Sequence, residues 1–120
     1  MIIEIDPSLP QPLFEQVAQQ IKFSIAAGAV HVNEMVPSVR VLSRQLAINP
    51  NTVARAYRQL QDEEILIPQR GVGLVIAANA QGVCRKLRKE FFKERFQTFL
   101  DEATRSKLSE EELSDILKVV

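Results

Sequence analysis

Along the chain, apolar side chains recur at helical spacing in five stretches and gather into two short β-prone runs. The first stretch begins at Leu13 and returns at Val17, Ile21 and Ile25, with Phe14 and Ala18 widening the stripe, which predicts a helix with one buried face. Pro7, Pro10 and Pro12 keep the chain extended until that helix begins, because proline fits a first turn but not an interior. Gly28 supplies its stop. Upstream, Ile2 to Ile5 alternate apolar and acidic side chains and predict a short edge strand. After a loop to Pro37, Ser38 precedes Val39, Leu42 and Leu46 as the N-cap of a short helix ending near Ala47. Asn49-Pro50 pairs a second cap with a first-turn proline, opening a helix whose buried face is Val53, Ala56, Tyr57 and Leu60. Two short helices separated by about three residues form a helix-turn-helix.

The β-prone runs Ile65-Leu66-Ile67 and Leu74-Val75-Ile76 are joined through Pro68-Gln69-Arg70-Gly71-Val72-Gly73, whose two glycines predict a hairpin with a basic tip, a candidate wing. Asn79 to Gly82 reads as a linker. Beyond it, Cys84, Leu87, Phe91, Phe92, Phe96, Phe99, Leu100 and Ala103 mark one long helix, on the order of 30 Å at 1.5 Å per residue. Ser109-Glu110-Glu111-Glu112 has the form of a capping box, opening a last helix with Leu113, Ile116 and Leu117 on one side. The fold class is therefore mostly α with a small β-wing: a winged helix-turn-helix over residues 1–77 and a helical region over 78–120.

Composition narrows the function. A chain of 120 residues holds one compact domain plus a small appendage, with no room for a catalytic domain beside a DNA reader. One cysteine, Cys84, forms no intrachain disulfide and suits a reducing, cytoplasmic setting. The short acidic start lacks the basic flank of a signal peptide, and no run approaches a membrane span, so no membrane partner is expected. Net charge is zero, with 15 basic and 15 acidic residues, but the distribution is uneven. Between Ser38 and Leu60 the ionised residues are Arg40, Arg44, Arg55 and Arg58, with no acid among them, before Asp62, Glu63 and Glu64 follow together. An all-arginine segment points to phosphate, although a solvated helical face has the same signature.

The helix opened by Asn49-Pro50 carries the chemistry. With its apolar side inward, Asn51, Thr52, Arg55, Arg58 and Gln59 face out. Arginine bonds guanine bidentately, asparagine bonds adenine, and threonine reaches phosphate or a thymine methyl. Arg40 lies in the first turn of the preceding helix, where free N–H groups also favour an anion. Against an enzyme, the single histidine, His31, sits in a loop without a cysteine nearby, and no metal-ligand cluster, phosphate loop or paired-carboxylate motif is present, so no cofactor and no catalytic residue are expected.

Three blocks resemble the winged helix of the GntR family: Val36-Pro37-Ser38-Val39-Arg40-Val41-Leu42-Ser43, Asn49 through Leu60, and Arg70-Gly71-Val72-Gly73, with Pro12-Leu13-Phe14-Glu15-Gln16 fitting the family's first helix. The phenylalanine-rich tail and its Leu108-Ser109-Glu110-Glu111-Glu112-Leu113 opening are similar to the YtrA subfamily, whose two C-terminal helices dimerise in place of a ligand domain. The resemblance implies a cytoplasmic bacterial transcription regulator, by default a repressor, with double-stranded operator DNA and a second copy as partners. It puts Arg40, Asn51, Thr52 and Arg55 in or beside the DNA-reading helix and Arg70 and Gly71 at the wing tip, with Ser38, Asn49 and Arg58 as further candidates. The chain departs from the family at Glu64, where a glycine usually ends the segment, at Asn33, another usual glycine, and at Val72, often basic.

Leu87, Phe91, Phe92, Phe96, Phe99 and Leu100 are the candidate dimer contacts. One short partner helix cannot hide four phenylalanines, and fully burying each contributes roughly 1.5–3 kcal/mol. A twofold dimer predicts a pseudo-palindromic operator with half-sites about one DNA turn apart. Packing of the stripe on the chain's own winged helix, and a winged helix that binds protein without reading DNA, are the alternatives. No residue cluster identifies a small-molecule effector, which the resemblance leaves open.

Overall fold

The computed structural model describes residues 1–119. Five helices and one hairpin are present: α1 (Leu13–Ala26), α2 (Val39–Leu46), α3 (Pro50–Asp62), β1 (Leu66–Gln69), β2 (Gly73–Ile76), α4 (Ala80–Arg105) and α5 (Glu110–Leu117). The chain forms two compact units, Met1–Arg88 and Lys89–Val120.

In the first unit, α1 buries Val17, Ala18, Ile21 and Ile25 on the predicted stripe and packs against α3, which also contacts α2 and β1. The core is completed by Leu42, Val53, Ala56, Tyr57, Leu60, Ile65, Leu66 and Ile76. α1 ends as Gly28 turns left-handed at φ 79°, while the Ala29 N–H reaches back to the Ser24 carbonyl at 3.0 Å. A half-exposed ion pair, Lys22 to Glu63 at 2.6 Å, joins α1 to the end of α3.

The hairpin is antiparallel, with Leu66 opposite Ile76 and Gln69 opposite Gly73. Its tip is Arg70-Gly71-Val72, closed by the Val72 N–H to the Gln69 carbonyl at 3.0 Å, and Gly71 takes φ 78°, which a side chain would strain. Met35 adds an isolated antiparallel bridge to Val75, flanked by bonds from the Val36 N–H to the Leu74 carbonyl and from the Ile76 N–H to the Glu34 carbonyl, both 3.0 Å. The outer side of β2 is thus paired with a loop that carries no strand signal of its own.

Three local expectations are corrected. Ile2 to Ile5 form no strand. Ile3 and Ile5 do pack on the core, but the adjacent polar groups bond to glutamines on α1 instead of a sheet edge. The Gln20 carboxamide accepts from the Glu4 N–H at 2.6 Å and donates to the Glu4 carbonyl. The buried Gln16 carboxamide accepts from the Asp6 N–H at 2.9 Å and donates to the Asp6 and Gln11 carbonyls at 3.0 and 2.9 Å. The proline-rich stretch is not extended either. It turns at Asp6 to Leu9, where the Asp6 carboxylate accepts from the Ser8 hydroxyl and N–H at 2.6 and 3.0 Å, bonds that hold its carboxyl below the usual range. Finally, Asn79 to Gly82 is no free linker. Helix α4 begins at Ala80, and Ala80 and Cys84 are completely buried, so compact packing continues past the expected division after residue 77. Arg85 fastens this turn by donating to the Ala26 carbonyl at 3.2 Å. Burial pushes the Cys84 thiol up to about 11, with Lys22 opposing and Glu63 adding to the shift.

In the second unit, the C-terminal part of α4 is followed by α5, whose capping box is complete. The Ser109 hydroxyl accepts from the Glu112 N–H at 3.1 Å, and the Glu112 carboxylate accepts from the Ser109 N–H at 3.2 Å.

Two of the positions that replace a usual glycine keep the left-handed backbone, Asn33 at φ 66° and Glu64 at φ 59°. Asparagine tolerates this region; glutamate there costs roughly 1–2 kcal/mol. Glu64→Gly relieves that strain but loosens the unfolded chain, for a net gain of about 0.5–1 kcal/mol. Urea unfolding should show a higher midpoint for Glu64→Gly; an equal or lower one contradicts the strain.

Candidate nucleic-acid interface

Helix α3 is fixed at its start by a side-chain cap followed by a proline. The Asn49 side-chain oxygen accepts from the Asn51 N–H at 2.8 Å, and Pro50 takes the first helical position, where no N–H needs a partner. One helix earlier, the Ser38 hydroxyl accepts from the Val41 N–H at 3.1 Å. Between them Ala47 turns left-handed at φ 54°, and the Ile48 N–H bonds the Ser43 carbonyl at 3.1 Å, so α2 passes into α3 through a tight turn.

Burial then sets the rotation of α3. Val53, Ala56 and Leu60 are completely inaccessible and Tyr57 nearly so. The Tyr57 hydroxyl donates to the Pro37 carbonyl at 2.6 Å, tying α3 to the residue before the Ser38 cap. Desolvation raises the phenol above its ordinary range. On the other side Asn51, Arg55 and Arg58 are exposed, and Thr52 and Gln59 are half-buried. Spacings of four and three residues put Asn51, Arg55 and Arg58 on neighbouring turns of one side.

Ser38, Arg40, Asn49, Arg70 and Gly71 are likewise exposed. A cavity of about 420 Å³ lined by Val36, Pro37, Ser38, Tyr57, Val72 and Leu74 puts the cap of α2 and the hairpin on one depression. Among the described residues the ion pairs are Lys22–Glu63, Lys93–Glu90 and Lys118–Asp115, so Arg40, Arg44, Arg55, Arg58 and Arg70 enter none. Their charge is left for an external anion. Arg55 has one neighbour of note: its guanidinium carbon lies 3.7 Å from the centroid of the Phe14 ring. The sequence gives Phe14 only as an edge of the apolar stripe of α1. The Tyr57 hydroxyl bond was equally hidden, because a tyrosine in a buried stripe does not reveal which carbonyl it meets.

The six aromatic and aliphatic candidates of the tail are all at least partly accessible. Phe92 and Phe96 retain 53% and 49% exposure and Leu87 41%, while Phe91, Phe99 and Leu100 are half-buried. Phe91 and Phe92 meet edge to face at 5.1 Å, Phe96 and Phe99 stack at 6.3 Å, and Arg95 lies 4.3 Å over Phe91. No described helix is long and apolar enough to cross a membrane.

Comparison with known proteins agrees with this geometry. The model of the bacterial regulatory proteins of the gntR family matches residues 13–76, from the start of α1 to the end of β2. The chain is 32% identical to the HTH-type transcriptional repressor YtrA of Bacillus subtilis (strain 168), over 99% of this chain and 92% of that protein. A GntR family transcriptional regulator from Listeria monocytogenes superposes with a TM-score of 0.78 at 26% identity, covering 97% of this chain and 99% of that one. YtrA from Sulfolobus acidocaldarius, a GntR-family transcription factor, superposes at 0.64 with 30% identity, covering 81% and 99%.

Tyr57 is the single tyrosine of the chain, which makes its contribution measurable. Tyrosine ionises near pH 10 when unfolded and higher in this fold. The folded state therefore keeps the proton where the unfolded state loses it. Stability is complete below about pH 10 and falls as pH rises above that value. Tyr57→Phe should be about 1 kcal/mol less stable at pH 7 for want of the bond to Pro37. Urea unfolding at pH 7 and at about pH 11 should show that gap narrowing; a gap independent of pH contradicts the assignment.

Proposed function

Since this chain belongs to the gntR family of bacterial regulatory proteins, in its YtrA-like branch, and is a DNA-binding transcription regulator, we propose that it works as a homodimeric repressor on a pseudo-palindromic operator. The observation that carries the reading is α3, which buries Val53, Ala56, Tyr57 and Leu60 and leaves Asn51, Arg55 and Arg58 in solvent, the two arginines with no carboxylate partner among the described residues. In the proposed complex α3 enters the major groove. Arg55 and Asn51 read base edges, Thr52 and Arg58 meet base or backbone, and Arg40, Ser38 and Asn49 hold phosphates at the starts of α2 and α3. Arg70 and Gly71 bring the hairpin tip to the neighbouring minor groove. Val72, still 48% exposed, adds no charge there, so the wing contributes less than α3.

Dimerisation is supported by the tail. Phe92 and Phe96 each leave about half their surface in water, and Leu87, Phe91, Phe99 and Leu100 extend the apolar area along α4. Covering such a patch with a second copy removes it from solvent and presents two copies of α3, which is the symmetry of a pseudo-palindromic site. Seated beside a promoter, the dimer excludes polymerase. The role needs no catalytic step, and its place is the cytoplasm, where bacterial DNA lies. A purely protein-binding winged helix is the weaker reading, because it leaves the unpaired arginines without a use.

Arg40→Ala and Arg55→Ala should each weaken binding to a DNA duplex enriched from a random pool by the native chain. A loss of about 1–3 kcal/mol is expected for Arg55 if it reads a base, and a smaller salt dependence for Arg40 if it meets phosphate. Light scattering should show both variants still dimeric. Unchanged affinity in both contradicts the interface. Separately, Phe96→Glu should yield monomers; a dimer of native stability places the contact between copies elsewhere.

A further inference from the structure

The arginine at the centre of the proposed base-reading face is not a free side chain. Arg55 is exposed and makes no ion pair among the described residues, yet its guanidinium carbon lies over the Phe14 ring, 3.7 Å from the centroid. Phe14 stands in the first turn of α1, where the Pro12 carbonyl accepts from the N–H groups of the two residues that follow it, Glu15 and Gln16, both at 3.1 Å. It is half-buried against the core, so the ring has a fixed floor. α1 and α3 are packed together, which fixes the ring relative to the backbone of Arg55.

We infer that Phe14 is a positioning residue for DNA reading: its ring face holds the Arg55 guanidinium in place for a base. The inference rests on the proposal that α3 reads DNA through Arg55. Its chemistry follows from the geometry of the group. A guanidinium carries its five N–H donors in its own plane, so stacking one face on a ring consumes none of them. A carboxylate partner would do the opposite, occupying the fork that guanine needs. The aromatic therefore orders a flexible four-bond side chain while leaving it chemically unsatisfied. A stacked cation at a partly exposed site contributes about two- to five-fold to an equilibrium constant. That gain belongs to the sequence-specific complex, because non-specific binding depends on the charge of Arg55 and not on its direction.

The test is a double-mutant cycle on the full chain, with the duplex enriched by the native protein as specific probe and a scrambled duplex of equal length as non-specific probe. Phe14→Leu keeps an apolar residue but removes the ring face. It should weaken specific binding about two- to five-fold and leave the scrambled duplex and the salt dependence unchanged. Phe14→Tyr, which keeps the ring face, should restore native affinity. In an Arg55→Ala background, Phe14→Leu should cause no further loss. Urea unfolding checks each variant, and Phe14→Met carries the same comparison if Phe14→Leu does not fold. The inference is overturned if Phe14→Leu has no effect, if Phe14→Tyr does not rescue, or if the loss is equal with and without Arg55. If the native chain enriches no duplex, or Arg55→Ala binds the enriched duplex as well as the native chain, the reading of DNA by Arg55 itself fails and the positioning role falls with it.

Discussion

Burial of Val53, Ala56, Tyr57 and Leu60 fixes where every other side chain of α3 points, and the rest of the molecule is arranged to make that burial possible. A helix of thirteen residues is marginal on its own. Its rotation is set by the apolar face it lays on α1 and β1, and its start by the Asn49 cap and the Tyr57 bond to Pro37. Turning the helix by one residue position, about 100°, would put Val53 and Leu60 in water and carry Arg55 toward the core. Each fully buried aliphatic is worth roughly 1.5–3 kcal/mol, more than enough to forbid that rotation. The direction of Asn51, Arg55 and Arg58 is therefore a consequence of packing on the opposite side.

This is also why so much was legible beforehand. Periodicity and capping are properties of neighbours in sequence, and α1, α2, α3 and α5 are specified by them: Ser38, Asn49 and Ser109 each cap the helix they precede. The hairpin was legible for the same reason, since Gly71 and Gly73 lie between two β-prone runs. What escaped depends on partners distant along the chain. The alternation of Ile2 to Ile5 is real, but its backbone is met by Gln16 and Gln20, and a glutamine in a helical stripe gives no sign that it will act as a strand edge. The bridge of Met35 to Val75 and the stack of Phe14 on Arg55 are of the same kind. Asn79 to Gly82 misled for a different reason: small residues suggest a linker, yet Ala80 and Gly82 are small within the first turn of α4, where Ala80 is fully buried.

Helix α4 shows the limit of local rules from the other direction. Its phenylalanines are spaced along a helix whose remaining positions are densely charged, including Arg85, Lys86, Arg88, Lys89, Lys93 and Arg95. Within one chain Phe91 meets Phe92 and Phe96 meets Phe99, and half of Phe92 and Phe96 stays wet. A single copy thus satisfies the polar side of α4 but not its apolar side. In the winged helix Ile21, Ile25, Leu60, Ile65, Leu66 and Ile76 are fully buried, and its exposed apolar side chains, such as Val41, Ile67 and Val72, are aliphatic. Among the described residues, exposed phenylalanine is confined to the region proposed to meet a second copy.

Neutral overall charge is compatible with a DNA reader because phosphates respond to nearby charge. At physiological ionic strength fields decay over about 8 Å. Asp62 stands about 16 Å along the helix axis from Asn51, and about 10 Å from Arg55, at 1.5 Å per residue. Glu63 is engaged by Lys22 at 2.6 Å and by the Gln59 amide at 3.1 Å. Glu64 already lies beyond the helix, in the left-handed turn toward β1. The acids that cancel the arginines in the sum therefore do little to cancel them at the start of α3. Arg58, only about 6 Å from Asp62 along the axis, is the exception, and its field is the most attenuated of the α3 arginines. The electrostatic weight of the proposed interface accordingly falls on Arg40, at the start of α2, and on Arg55, midway along α3.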